Sequence, residues 1–433
     1  MSGELDVFVV GTGTAGAAVA RACARAGLSV VAIDRSPLHE AGARWLNGVP
    51  AWAFDAADVP QPEGAELRGS GHPFHMVAGY GPGRVTVPSA ELLDVDMRHL
   101  VARLQSDARA AGARLCGGES ATAWEPDDAG ATIRTSHGTY RARVVVDASG
   151  LKGVPFAPPP EVPREELCVA AQQARTVTDR GAAERFFTDH GVPPGDTLCF
   201  TGVAGGYSIV NVRLDAHRDV LYILTGSIPA AGHPSGVQLL DRFVQQHAWV
   251  GERLFGGSRA IPLLPPLARL DDGPLVRIGD AGRQVFAAHG SGIGAQLVAA
   301  RMLADTLAEG ATLWDFTRRW QKTWGGHFCG SVAFARFSRS LSPDDLRDLF
   351  ASGLMAPGAT GRTLSQRRPG LGRADLPDLP KMLLGAVRAP RWLARLAPVA
   401  GRMARLELHH SRFPADPARL DEWAQRRDLL LNI

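Results

Sequence analysis

Three apolar blocks open the chain. Leu5–Val10 is continuous and rich in β-branched residues, the pattern of a strand buried on both faces. Residues 17–26 read as a helix that Gly27 ends, and 28–33 as a second buried strand finishing at Asp34. Gly11-Thr12-Gly13-Thr14-Ala15-Gly16 joins the first strand to the helix. The pattern then loosens through Pro- and Gly-rich sequence from Ser36 to about Pro88. A helix is predicted over 90–111, with Leu92, Leu93, Val95, Leu100 and Leu104 as its apolar positions and Gly112 as its stop. Hairpin-like strands follow at 121–125, 132–136 and 140–146, the last running into Asp147-Ala148-Ser149-Gly150. Further strands are predicted at 198–201, 207–214 and 220–225. A short strand at 275–278 ends in Gly279-Asp280. A second glycine loop, Gly290-Ser291-Gly292-Ile293-Gly294, then opens a helix over 295–307.

From Gly326 the pattern becomes helical. Helices are predicted at 328–341 and 343–353, the second opened by Ser342-Pro343-Asp344-Asp345. Residues 356–380 read as loop, and 381–408 as helix interrupted at Pro390 and Pro398. Charge changes at the same place. The chain carries a net +3, yet the segment from 326 onward has 17 basic against 10 acidic residues, so the basic excess belongs to it alone. Within 381–405 stand six basic residues and no acid, interleaved with leucines. That pattern is read first as a helical lid with leucines packed inward. Peripheral contact with an anionic membrane or an acidic partner is the alternative.

Composition narrows the classes. Five scattered cysteines without a CxxC pair exclude a disulfide scaffold and a structural zinc site, and no other metal site is expected. They fit a reducing, cytoplasmic setting. No secretory leader is expected, since the first residues are acidic where a basic segment would stand. No run of 18 apolar residues exists, so no spanning helix is expected. The basic tail lacks any nucleic-acid-binding motif, so nucleic acid is excluded as a partner. Only three of the 47 basic residues are lysine, which leaves Lys152, Lys322 and Lys381 for any lysine-dependent chemistry.

The first glycine segment has the full context of a dinucleotide fingerprint. Gly11 makes the tight turn, Gly13 lets the backbone approach a pyrophosphate, and Gly16 lets helix and strand pack closely. The helix start offers free N–H groups and a positive dipole end to the anion. Asp34 is placed to accept hydrogen bonds from a ribose diol.

With the later Gly150 and Gly279-Asp280 segments, the order of motifs over residues 5–325 resembles the aromatic hydroxylase and geranylgeranyl reductase superfamily of FAD-dependent oxidoreductases. The segment Gly256-Gly257-Ser258-Arg259-Ala260-Ile261-Pro262-Leu263 resembles the reductase and lycopene-cyclase-like branch most. The resemblance implies a mixed α/β fold. A three-layer, Rossmann-like FAD domain (1–60, 88–155 and 270–325) would be interleaved with an antiparallel-sheet substrate domain (61–87 and 156–269). A helical extension would cover 326–433. It implies that Gly11, Gly13, Gly16 and Asp34 hold the ADP half of FAD, with Asp147 and Gly150 near the pyrophosphate. Asp280 would bind the ribityl-pyrophosphate, and Gly290, Gly292 and Gly294 would meet the isoalloxazine edge. Arg44 lies in the loop region that approaches the flavin in such proteins. The chain departs from the pattern at Ala287 and Ala288, where a proline is usual, at Met97, where an arginine is usual, and at Gly206-Tyr207-Ser208-Ile209-Val210-Asn211, which replaces an aromatic motif.

The function expected from this reading is an FAD-dependent monooxygenase. It would hydroxylate a bulky aromatic or hydrophobic substrate with O₂ and a reductant, NAD(P)H foremost. A tryptophan-bearing peptide or protein stays within its range of substrates. The rivals are an alkene reductase of the geranylgeranyl type, a flavin-dependent halogenase and a non-catalytic flavoprotein module. Halogenation is disfavoured because WxWxIP is missing and Lys152 is the only lysine before Lys322. Tyr207, Asn211 and Arg213 share one face by period-two spacing and are candidate substrate contacts, Tyr207 also a candidate for catalysis. His289, in the second glycine loop, is the candidate acid or base. His72 and His75 are read as loop residues.

Overall fold

The computed structural model describes residues 4–89, 91–215, 217–368, 370, 377 and 379–432. Two large sheets organise it. In the first, Leu5–Val10 lies between Val30–Asp34 and Gly138–Asp147, parallel to both. Arg114–Gly117 extends it on one side and Leu275–Arg277 on the other, again in parallel. The hairpin Ala121–Asp127 and Gly130–Thr135 hangs from Gly138–Asp147 in antiparallel pairing. Val7, Val9, Val30, Ala32, Val144 and Val146 are all buried on one face, as the continuous apolar runs require. Helix Thr14–Arg25 covers that face and packs against helices Ile293–Ala308 and Met97–Ala110.

The second sheet has seven strands in the order Val250–Pro262, Leu167–Val177, Val220–Ser227, Ile209–Asp215, Thr197–Thr201, Phe74–Ala78 and Arg84–Val87. Its pairings are antiparallel except between Thr197–Thr201 and Phe74–Ala78. One face is sealed by helices Arg180–Asp189 and Gly236–Gln246 through Phe187, Leu240 and Phe243. The other face lines a cavity through Cys168, Ala170, Gln172, Cys199, Asn211 and Leu224. A small third sheet, Leu46–Pro50, Leu92–Asp96 and Leu67–Ser70, bridges the two.

That third sheet corrects one expectation. Residues 92–96 are strand, and the helix begins only at Met97. Asp96 caps it by accepting from the Arg98 amide at 3.2 Å, so the polar end of the strand is also the helix start. His75 likewise sits in a strand rather than a loop, bonded to Asp196 at 2.9 Å and Thr86 at 3.1 Å.

The C-terminal part is helical, as expected, with two differences. Pro357–Leu364 is a helix inside the stretch read as loop, begun by Pro357 at its first turn. Pro398 lies within one continuous helix, Pro390–Ser411, at a solvent-facing position. Buried Trp392, Val399 and Leu406 hold this helix from the other side, which offsets the one backbone bond that Pro398 removes. Helix Gly326–Arg339 packs against it. Among the described residues no helix is long and apolar enough to cross a membrane.

Candidate functional site

The first glycine loop follows strand Leu5–Val10, and the Gly279-Asp280 turn follows the parallel strand Leu275–Arg277; the second glycine loop leads from that turn into helix Ile293–Ala308. In the first, Gly11 has φ +99° and a Cβ there would stand 2.4 Å from the Ala148 carbonyl oxygen. A Cβ on Gly16 would stand 1.7 Å from the Gly11 carbonyl oxygen. Both glycines are therefore required for the turn itself. Gly13 faces the backbone of Gly42, 3.0 Å from where its Cβ would be. Asp34 fastens the loop: it accepts from the Thr12 amide at 2.8 Å, the Thr12 hydroxyl at 3.3 Å and the Ser36 amide at 3.0 Å. Helix Thr14–Arg25 starts without a side-chain cap, so its first N–H groups remain available. Arg44 is exposed and donates to the His39 carbonyl. Arg259 donates to the Gly42 carbonyl.

Asp147 is fully buried and accepts from the Ser149 amide at 3.1 Å, the Ser149 hydroxyl at 2.6 Å and the Val154 amide at 3.2 Å. Burial still pushes its carboxyl above the usual range. It shapes the turn in which Gly150, at φ +95°, leaves open space. Asp280 differs. Burial also raises its carboxyl, and Arg259 opposes this, but its hydrogen bond is a single long one from Gln296 at 3.4 Å.

The second loop leaves polar groups unmatched. Gly290 has φ +72° and faces the Tyr207 hydroxyl. Gly292 precedes helix Ile293–Ala308, which also lacks a side-chain cap, and Gly294 lets this helix pack against Ala53. The Ser291 hydroxyl and His289 Nε2 are buried without a hydrogen-bond partner among the described residues. Burial pushes the His289 imidazole down to about 4, against backbone bonds to Thr363 and Leu364. Two uncapped helix starts, glycine cradles that a Cβ would fill and a half-buried, scarcely matched carboxylate fit a dinucleotide with anionic and hydroxyl groups.

A cavity of about 550 Å³ adjoins the second loop. It brings together all of Tyr207, Asn211, Arg213 and His289. Tyr207 donates its hydroxyl to the Ala287 carbonyl at 2.8 Å, and burial raises it well above its usual range. Arg213 is paired with Asp94 at 3.0 Å, donates to the Arg68 carbonyl at 3.1 Å and lies 5.0 Å from the Tyr222 ring centre. Asp94 and His72 line the same end. Sequence reasoning missed Asp94, which it placed in a helix; His72 is a loop residue, as expected, and no motif marks either for the site. The opposite end is apolar and built by the C-terminal helices through Phe334, Phe337, Leu346, Leu349 and Phe350. Part of the tail thus forms a wall of the cavity.

A dinucleotide-fitting cradle on a largely parallel sheet, with an antiparallel sheet lining the adjoining cavity, is the arrangement expected of a flavin-dependent oxidoreductase. The family profile of lycopene cyclase proteins matches residues 6–190. The digeranylgeranylglycerophospholipid reductase of Sulfolobus acidocaldarius is 24% identical over 99% of this chain and 97% of its own. Among solved structures, a geranylgeranyl bacteriochlorophyll reductase-like protein from Thermoplasma acidophilum superposes with TM-score 0.72 at 17% identity, covering 92% of this chain and 99% of that one. A variant of the halogenase PltM in complex with FAD superposes with TM-score 0.64 at 13% identity, covering 99% of this chain and 95% of that one. The chain is thus similar, in fold and in the order of its motifs, to FAD-dependent oxidoreductases.

Proposed function

We propose that the protein is an FAD-dependent reductase of carbon–carbon double bonds in a long, isoprenoid-like hydrophobic chain. The observation that carries this is the cavity of about 550 Å³, apolar over its C-terminal half, opening onto the second glycine loop. Such a chamber takes a flexible hydrocarbon chain, and its burial of apolar surface is the main source of affinity. The name of the Sulfolobus relative, a reductase, supports the same reading over the hydroxylation expected from sequence.

FAD, when bound, supplies the two-electron chemistry. Gly11, Gly13, Gly16 and the start of helix Thr14–Arg25 would hold its diphosphate half, with Asp34 fastening the loop. Asp147 shapes the adjoining turn at Gly150, and Arg44 stands at its rim. Asp280 would accept from its hydroxyl groups, and Gly290, Gly292 and Gly294 would border its ring. Tyr207 holds the loop in place through Ala287. His289, with its imidazole pushed to about 4, is neutral at physiological pH, so it offers a hydrogen bond rather than a charge beside the reacting atoms. The apolar walls exclude water. The electrons come from NAD(P)H or another soluble reductant.

The domain division proposed for the chain remains the FAD part (1–60, 88–155, 270–325), the substrate part (61–87, 156–269) and the helical extension (326–433). In that extension Leu383 and Val387 are 67% and 78% exposed, next to exposed Arg388 and Arg391. This face suits peripheral contact with the lipid surface that holds a chain-like substrate.

The test is reduction of the FAD-loaded protein without oxygen, followed by a polyprenol and mass spectrometry. Gain of two hydrogens per double bond is expected. Insertion of one oxygen under air, with no hydrogenated product in its absence, overturns the reductase reading in favour of a monooxygenase.

A further inference from the structure

The two ends of the cavity differ in chemistry, and the polar end holds an ion pair. Its charged lining consists of one carboxylate, Asp94, and one guanidinium, Arg213, with the imidazole of His72 alongside. The guanidinium is engaged. Arg213 is 8% exposed at its side chain, bonded to Asp94 at 3.0 Å and to the Arg68 carbonyl at 3.1 Å, and stacked near Tyr222. The Asp94 side chain keeps 28% exposure, so the partly uncovered member of the pair is the negative one.

Other cations nearby are directed elsewhere. Arg68 and Arg98 both point at Asp96, at 3.1 and 2.7 Å, and Arg98 also lies 3.6 Å from the centre of the Phe255 ring. Neither lines the cavity. Gly69 lies against both groups: a Cβ there would stand 2.6 Å from His72 Nε2 and 2.9 Å from Asp94 Oδ2. The glycine thus lets the imidazole and the carboxylate sit over bare backbone. Asn211 adds an amide that both donates and accepts.

We propose that this end selects a chain terminating in an uncharged polar group, a hydroxyl or a carbonyl, and rejects one terminating in a phosphate. A hydroxyl donates to Asp94 and accepts from Asn211, so neither partner is left unmatched. A phosphate brought to the same place meets the Asp94 carboxylate at close range. The one cation there is already committed, so like-charge repulsion and desolvation both oppose entry. The selection rests on the reading of the cavity as a chain-binding site. It goes beyond that reading by naming the terminus.

The experiment is calorimetric titration of the FAD-loaded protein with farnesol and with farnesyl monophosphate, for the wild type and for Asp94→Asn. Farnesol is expected to bind at least about tenfold more tightly to the wild type. In Asp94→Asn the preference for farnesol is expected to fall at least about tenfold, because the amide removes the charge that repels the phosphate and weakens the hydrogen bond to the farnesol hydroxyl. Equal or tighter binding of the monophosphate by the wild type overturns the proposal, as does an unchanged ratio in a folded Asp94→Asn. If the variant does not fold, the wild-type ratio alone decides. Binding of neither probe overturns the chain-binding reading as well, which separates that failure from a wrong terminus.

Discussion

The two glycine loops each open a long helix, and those helices pack together, yet the loops are built on opposite terms. In the first, every demand is internal. Gly11 and Gly16 admit backbone against backbone, and Asp34 accepts three hydrogen bonds from Thr12 and Ser36. In the second, the backbone is roomier and side-chain atoms are unmatched: Ser291 Oγ and His289 Nε2 are buried without partners among the described residues. Asp280, beside it, has one long contact. A fold tolerates such unmatched groups where a ligand completes them. The first loop is thus a rigid socket fixed by the chain, and the second a surface whose bonding is finished from outside.

The sharpest way to break the comparison is a methyl group in the socket. Gly16→Ala puts a Cβ 1.7 Å from a backbone oxygen that is itself held by the turn. Strand and helix must separate. A loss of about 4 kcal/mol or more is expected, with failure to retain flavin after purification. Denaturant unfolding and the flavin-to-protein absorbance ratio measure it. A Gly16→Ala protein of unchanged stability would show that the socket is not rigid.

Acid separates the loops next. Burial holds both His289 and His327 near 4, below the ordinary 6.5. Their rings flank Phe286 at 5.1 and 4.9 Å. In each the unfolded chain takes up the proton first. The stability they allow is complete above about pH 7, falls as pH drops from 6.5 toward 4, and levels off below that. The fall is on the order of 3 kcal/mol for deeply buried His327. The melting temperature should decline over that window, and His327→Gln should flatten the decline. Hydrogen exchange should quicken around residues 286–291 and not around 11–16, where no histidine stands.

How much of this was readable in the sequence follows from distance along the chain. Leu5 to Asp34 was legible to within three residues at each boundary, because strand, turn, helix and strand are local and each carries its own pattern. The shared face of Tyr207, Asn211 and Arg213 was legible from alternation alone, and all three do line the cavity. The strand Leu92–Asp96 was not. Its partners, Leu46–Pro50 and Leu67–Ser70, lie far back in the chain, and its apolar residues run on into those of the following helix. Asp94 was hidden for the same reason. Its meaning depends on Arg213, which only the fold brings to it. The helix Pro357–Leu364 was masked by its own Pro and Gly residues, and tertiary packing overrides their propensity.

Asp280→Asn tests whether the second loop is completed from outside. The carboxylate has one weak partner, so its charge does little for the free protein and its burial is a cost. Stability should stay level or rise slightly. Affinity for FAD should fall about tenfold, the worth of one charge-assisted hydrogen bond. Titration of flavin-stripped protein with FAD, followed by fluorescence quenching, gives both the direction and the size. A destabilised variant with unchanged FAD affinity would make Asp280 a structural residue like Asp147.

The smallest effect belongs to the same chemical change as the largest, moved to the other loop. Gly290→Ala adds a Cβ whose nearest neighbours are the Tyr207 hydroxyl at 3.4 Å and Ile261 Cγ2 at 3.6 Å, ordinary contact distances. No backbone need move. The cost is that of placing an alanine at φ +72°, about 1 kcal/mol. A fall in melting temperature of a few degrees is expected, with flavin retained. Because the added methyl points at the hydroxyl that Tyr207 donates to Ala287, binding of a chain-like ligand should weaken before FAD binding does. If Gly290→Ala instead lost flavin as completely as Gly16→Ala, the second loop would be a socket as rigid as the first. The unmatched Ser291 and His289 would then need another explanation than a ligand that completes them.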